Sequence, residues 1–424
     1  MTLAADAPKE AFRLSMLIYD TRYRSYTIQV AVLVLLLLFM GWITDNTIKN
    51  LAERGKDISF NFLWQRAGYD IDQQLIPYTN DSTHGRAAVI GILNTLVVAI
   101  FGCLFATVIG VVAGVLRLSK NWLVARIMTV YVEVFRNVPV VLWIIVASVF
   151  LTETQPQPRD YKVTDEMIAA GESPKAEMLF GAFAITGRST NMPAPLLTRP
   201  LPTVEIATVP VSLSLLAFLA VVIGSVMVNS RYLAKVKAEQ EATGLRPTTW
   251  WKSLLILFGP SIALLVAMGL HLDYPALKGF NFQGGISVSH AFSALLVALS
   301  LYTGAFIAEN VRGGIQAISR GQSEAAFALG LRPGRAMKLV ILPQALRVII
   351  PPLISQYLNL TKNTSLGIAV GYLDLRGTLG GITMNQTGRE MECMLLMMGI
   401  YLVISLIVSS VMNAYNNAVK LKER

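Results

Sequence analysis

Two short stretches of this chain gather chemistry-bearing residues at suggestive spacing, and neither has the make-up of a catalytic centre. In the first, Tyr357, Asn359, Thr361, Lys362, Asn363, Thr364 and Ser365 crowd into a long apolar run just after Pro351 and Pro352. A Lys at the centre of a membrane-spanning helix costs roughly 2.5–3.5 kcal/mol on insertion scales, so Lys362 needs a polar cavity, a partner or an interface. That density of hydroxyl, amide and ammonium groups suits the passage of a polar solute, with Asn359, Thr361, Lys362 and Ser365 along the path; isolated polar residues in such helices often serve packing alone. Tyr302 and Thr303, in the preceding apolar run, either line the same path or are buried packing residues. In the second stretch, Glu324, Ala325, Ala326 and Gly330 lie in a basic segment between two apolar runs, among Arg312, Arg320, Arg332, Arg335 and Lys338. Ser319 and Gln322 fit a capping box, Glu324 sits in the first turn, and Gly330 with Pro333 supplies a stop. Ala325, Ala326, Leu329 and Gly330 then share a face at i, i+3 and i+4 spacing, a small-residue knob that another protein can approach closely; the plainer reading is an ordinary loop helix.

Covalent and metal chemistry find little support elsewhere. His84, His271 and His290 are far apart and lie in or beside loops, which favours solvated side chains over a metal site. Cys103 and Cys393 fall inside or beside apolar runs and read as small buried hydrophobes. No GxxxxGK[ST] phosphate-binding loop occurs, so any use of ATP requires another chain.

The elements that must position these residues are membrane helices. Of 424 residues 54% are apolar and only 15% charged, outside the usual range of a soluble domain. The net charge of +10 comes from basic residues at the ends of apolar runs, with no aromatic-basic stripe, which argues against nucleic acid. A span needs roughly 20 mostly apolar residues, and candidates occur near 28–44, 87–116, 128–151, 207–228, 253–270, 287–308, 345–372 and 393–415. The first follows Lys9, Arg13, Arg22 and Arg24 without an Ala-x-Ala-like cleavage site, and reads as a retained anchor. With the N-terminus inside, Lys and Arg concentrate on alternate loops: Arg117, Lys120 and Arg126; Arg231, Lys235, Lys237, Arg246 and Lys252; the central basic segment; and Lys420, Lys422 and Arg424 at the tail. That puts Glu324 in the cytoplasm and leaves the mixed, relatively acidic segments 45–86 and 152–206 as periplasmic caps, with 271–286 short and poor in basic residues. Trp42, Trp122, Trp250 and Trp251 stand near span ends as interfacial anchors.

Two further patches read as packing. Gly110 and Gly114 form a GxxxG that permits close helix contact. Pro139 weakens or kinks the start of the third span, where Glu133 and Arg136 at i, i+3 spacing can pair at the cytoplasmic rim.

Glu324-Ala325-Ala326, then Gly330, then Val340-Ile341-Leu342-Pro343 resembles the EAA loop of ABC-transporter permeases, with Val340 where that family usually has Ile. Asn94-Thr95-Leu96, Glu133-Val134-Phe135-Arg136, Ala308-Glu309 with Arg312-Gly313-Gly314-Ile315, and Lys362-Asn363-Thr364-Ser365-Leu366 are similar to segments of the polar amino-acid (histidine/glutamine permease-like) subfamily. The stretch Gly371–Met398 resembles the larger membrane subunit of general L-amino-acid permeases. The resemblance implies an all-α integral membrane protein of about eight transmembrane helices: a type I ABC importer core of five, one extra N-terminal helix and a two-helix insertion. The expected organisation is an N-terminal anchor and periplasmic loop over 1–86, a permease domain over 87–415 and a cytoplasmic tail over 416–424. Within the permease domain the insertion is 152–286 and the coupling loop 309–344. Glu324, Ala325, Ala326 and Gly330 then form the coupling helix that rests in a cleft of a separate ATPase subunit. Further implied are a second permease subunit, two ATPase copies that bind ATP and Mg, a periplasmic amino-acid-binding protein, and L-amino acid substrates, broad or polar and acidic in range. No cofactor is expected in this chain, and the location is the bacterial inner membrane with both termini cytoplasmic. A competing expectation is an ion-coupled secondary transporter, which commonly shows an internal repeat; none stands out between the halves. An integral membrane enzyme would need a catalytic constellation, and none emerges.

Overall fold

The computed structural model describes residues 15–53, 55, 57–162, 174–206, 209–245 and 247–419. Lys9, Arg13, Arg246, Lys420, Lys422 and Arg424 of the charge pattern lie outside them. The chain divides into two units, residues 1–62 and 63–424. In the first, a short helix Met16–Tyr19 precedes α1, Thr21–Glu53, whose apolar residues are exposed along its length, as a helix in contact with lipid requires.

The second unit begins ahead of the boundary expected at 86, because residues after Leu63 pack onto the helix that starts at His84: Ala67, Ile71 and Tyr78 form a buried cluster with Ala87 and Ile90. The long helices here are α2, His84–Leu116; α3, Trp122–Asn137; α4, Val140–Glu153; α5, Leu213–Thr243; α6, Trp250–Ala267; α7, His290–Gln316; α8, Arg320–Ala328; α9, Leu342–Asn363; and α10, Glu390–Val419. Among the described residues, seven helices are long and apolar enough to cross a membrane, or eight if the bent pair α3–α4 counts as one span. Where one straight third span was expected, α3 and α4 meet at 108°. Pro139 is the reason: it disfavours helical geometry at Val138, whose backbone is extended, and it N-caps α4. Pro351 and Pro352, by contrast, leave α9 continuous.

α2 and α7 are the spine of the core. Gly110 and Gly114 let them approach so closely that a Cβ on Gly110 would stand 2.6 Å from Ile307 Cβ and one on Gly114 2.6 Å from the Ala308 carbonyl oxygen. Small residues at a helix crossing allow this in a bilayer, where dispersion packing replaces the hydrophobic effect as the cohesive force. Val98, Leu295, Leu299, Ile307, Leu360 and Tyr372 complete the buried centre.

One end of the bundle carries short β-strands that the helical reading did not anticipate: β1, Ala184–Ile185; β2, Ser189–Met192; β3, Ala194–Leu197; β4, Thr203–Ile206; β5, Val209–Ser212; β6, Leu270–Asp273; β7, Ala276–Lys278; β8, Asn281–Gln283; and β9, Ile286–Ser289. β1, β2 and β9 form a sheet, β3 pairs with β6, and β4–β5 and β7–β8 are separate hairpins, all antiparallel. β2–β9 and β3–β6 knit the two loops flanking the α5–α6 hairpin into one cap, and Ser289 N donates to Gln73 Oε1 at 3.2 Å, joining the earlier loop to it. These strands are too short to show periodicity, and the partners in β2–β9 and β3–β6 lie about 75–100 residues apart.

Candidate functional site

At the opposite end of the bundle the turns after α2, α5 and α7 come out. Arg117, the C-cap of α2, keeps only 8% of its side chain exposed and pairs with Glu309 of α7 and, at 3.7 Å, with Glu133 of α3. The other Glu309 oxygen lies 2.6 Å from Arg312 Nη2, one turn on, while Arg136 reaches the carboxylate at 4.0 Å. Arg312 also donates to Gln316 Oε1 at 2.9 Å. Glu133 and Arg136 thus pair across helices, where sequence spacing had pointed to each other. Arg136 lies over the Phe306 ring at 5.3 Å, and Tyr302 packs on the same ring at 5.1 Å. The cluster ties three helix ends together beside the central basic loop.

That loop holds α8. Gly330 adopts φ +75° and completes a Schellman ending: Leu331 N donates to the Ala326 carbonyl at 3.1 Å and Gly330 N to the Phe327 carbonyl at 2.9 Å. Pro333 opens the next helical turn, Pro333–Ala336. The expected capping box is absent: Ser319 is the N-cap, but its side chain makes no cap bond, and Gln322 Oε1 accepts from Gln344 Nε2 at 3.1 Å instead. The small-residue face also divides. Ala326 is buried, 3% exposed, on the side that packs against the turns 333–341, while Glu324, Ala325, Phe327 and Leu329 are exposed, Leu329 by 81%. The surface offered outward is therefore carboxylate, methyl and two apolar side chains, and Ala326 seats the helix on its own chain.

α9 presents the polar stretch. Val348, Pro352, Ser355, Asn359 and Lys362 are exposed and follow at i+4, i+3, i+4 and i+3, one face of the helix. Asn359 and Lys362 of the expected path lie together on it. Thr361 is buried and its hydroxyl donates to the Tyr357 carbonyl at 2.8 Å; Ser365 is half-buried and donates to the Lys362 carbonyl at 2.7 Å. Thr303 is buried in α7, Tyr302 half-buried. The Tyr357 hydroxyl meets Thr107 Oγ1 at 2.6 Å and joins α9 to α2.

A polar seam also anchors the segment 371–388 to α2. Asn94 Nδ2 donates to the carbonyls of Gln73 and Leu373 at 2.8 and 2.9 Å, Leu375 N donates to Thr95 Oγ1, and the buried Asp374 accepts from Gly377 N at 2.9 Å and the Tyr401 hydroxyl at 3.1 Å. Nothing in linear spacing joins Asn94 to a residue 279 positions away; the only sequence signal was an Asn-Thr pair inside an apolar run. His84 and His290 are buried, not solvated: His84 Nδ1 meets Thr383 Oγ1 at 3.0 Å, and His290 Nε2 meets the Thr186 carbonyl. Among the described residues no group of three or more His, Cys, Asp or Glu is placed to hold a metal ion.

This chain belongs to the inner-membrane components of binding-protein-dependent transport systems, whose family profile matches residues 106–421. It is 63% identical over the full length of both chains to the glutamate/glutamine/aspartate/asparagine transport system permease protein BztB of Rhodobacter capsulatus. It is 41% identical, over 98% of this chain and 96% of the other, to the general L-amino acid transport system permease protein AapQ of Rhizobium johnstonii. A third relative, the putative amino-acid ABC transporter permease protein YhdX of Escherichia coli, is 38% identical over 95% of each chain. The chain is a transport subunit of this family, not an enzyme.

Proposed function

We propose that the chain is one permease subunit of an ATP-driven importer that moves L-amino acids, acidic ones and their amides among them, from periplasm to cytoplasm. The observation that carries this reading is the end-to-end 63% identity to a permease protein whose name gives those four amino acids. The partners are a second permease subunit, two ATPase subunits that bind ATP and Mg, and a periplasmic binding protein. Both termini and α8 lie in the cytoplasm, and the strand-bearing end faces the periplasm of the bacterial inner membrane.

α8 rests in a cleft of the ATPase through Glu324, Ala325 and the apolar side chains beside them, with Gly330 fixing its end. Closure of the ATPase pair on ATP moves α8 and, through the turns 333–341, α9, whose exposed face with Asn359 and Lys362 lines the path towards the second permease subunit. Ser365, Thr361, Tyr302 and Thr303 support that path from behind. Lys362 offers an ammonium group for a substrate carboxylate.

The test is reconstitution. Liposomes holding this chain, its partner permease and the ATPase accumulate labelled glutamate or glutamine only with internal ATP and external binding protein. A chain that transports alone on an ion gradient would overturn the proposal.

A further inference from the structure

The hairpin α5–α6 contains a groove of a different kind from the packed crossing of α2 and α7. It measures about 670 Å³ and is lined by Val221, Gly224 and Val228 from α5 and Leu255, Gly259 and Pro260 from α6. A Cβ on Gly224 would meet nothing within 4 Å, and one on Gly259 only the Leu255 side chain at 3.8 Å and beyond. These glycines therefore hold space open, whereas Gly110 and Gly114 bring backbones together. Pro260, inside α6, has no N–H to give the Ile256 carbonyl in the groove wall.

The mouth away from the strands is basic and amphipathic. Arg231 and Lys235 follow Val228 by three and seven residues, and Lys252 stands one turn before Leu255; all three are exposed. Trp250 and Trp251 begin α6, with Lys252 Nζ 5.4 Å from the Trp251 ring centroid. Further out, Lys237 is occupied by Glu241 at 3.9 Å, and Glu239 sets the end of the positive patch.

We propose that this groove binds one anionic glycerophospholipid, its acyl chain between α5 and α6 and its phosphate at Arg231 and Lys252. Apart from Ser225 and the Ile256 carbonyl the slot is lined by apolar groups and takes hydrocarbon, and two cations at its mouth, neither in an ion pair among the described residues, select a negative headgroup over a zwitterionic one. A second protein helix would also fill the slot, yet it brings no anion for the basic rim; the lipid satisfies both halves. The proposal does not depend on which solute the chain carries.

The experiment is native mass spectrometry of the complete transport complex in mild detergent, titrated with phosphatidylglycerol and phosphatidylcholine. The intact complex retains phosphatidylglycerol with a preference of roughly thirtyfold, the scale that two cations near an anionic headgroup supply. Arg231→Gln with Lys252→Gln, both at exposed positions that leave folding alone, abolishes the preference; Gly224→Leu, which fills the slot, abolishes retention of both lipids. Equal retention of the two lipids by the unaltered complex overturns the proposal. So does a photo-crosslinker at Val221 that captures a protein helix instead of lipid.

Discussion

Glu309 of α7 and Arg117 at the end of α2 form an ion pair that closes the strand-free end of the bundle, with the arginine almost wholly enclosed. Arg312 and Arg136 share the same carboxylate. Glu309→Gln leaves three arginines facing one another around a neutral amide. The expected loss is about 2–3 kcal/mol, towards the low end for breaking a buried pair because Glu309 keeps a partly exposed side chain. Thermal unfolding of the purified complex reads it directly. Arg117→Met combined with Glu309→Gln costs less than the sum of the two single changes by about 1 kcal/mol, since each alone already removes the pair they share.

The crossing of α2 and α7 has no room at Gly110. Gly110→Ala puts a methyl 2.6 Å from Ile307 Cβ and 2.8 Å from the Gly304 carbonyl oxygen. Overpacking of that kind costs about 1–3 kcal/mol, seen as a lower melting temperature. Gly399→Ala in α10, whose methyl meets nothing within 4 Å, is the control and gains about 0.5–1 kcal/mol from helix propensity.

Burial separates Ala326 from its neighbours in the arm, and two substitutions expose the difference. Glu324→Lys alters only the outward surface, so the protein reaches the membrane at normal abundance while the loaded binding protein no longer stimulates ATP hydrolysis. Ala326→Trp must first lift α8 off the turns 333–341, so protease sensitivity of the loop rises as well. Normal stimulation in the Glu324→Lys complex would remove the coupling role.

At Gly330 the backbone φ of +75° excludes most side chains, although a Cβ there meets no atom within 4 Å. Gly330→Ala therefore acts through the backbone alone and costs about 1 kcal/mol, while Gly330→Asn, a residue that tolerates this conformation, costs less. Amide hydrogen exchange over 320–331 in the two variants ranks them.

Lys362→Met keeps the length of the side chain and removes its charge on an exposed face of α9, so assembly is intact and uptake of acidic amino acids falls at least tenfold in the liposome assay. Unchanged uptake of every amino acid would remove Lys362 from the path.

Membrane residence, the helical spans, and the stop at Gly330 and Pro333 were legible in the residues, because apolar run length and local turn chemistry act over a few neighbouring positions. The same holds for the break at Pro139, whose effect on Val138 is local, although its size of 108° was not. Tertiary structure decided what depends on distant partners. It sent Arg117 to Glu309 across 192 positions, joined Asn94 to Leu373, paired strands of four residues across the hairpin insertion, and turned Ala326 inward while leaving Asn359 and Lys362 out. A helix's own pattern says which residues share a face; only the packed bundle determines what that face meets.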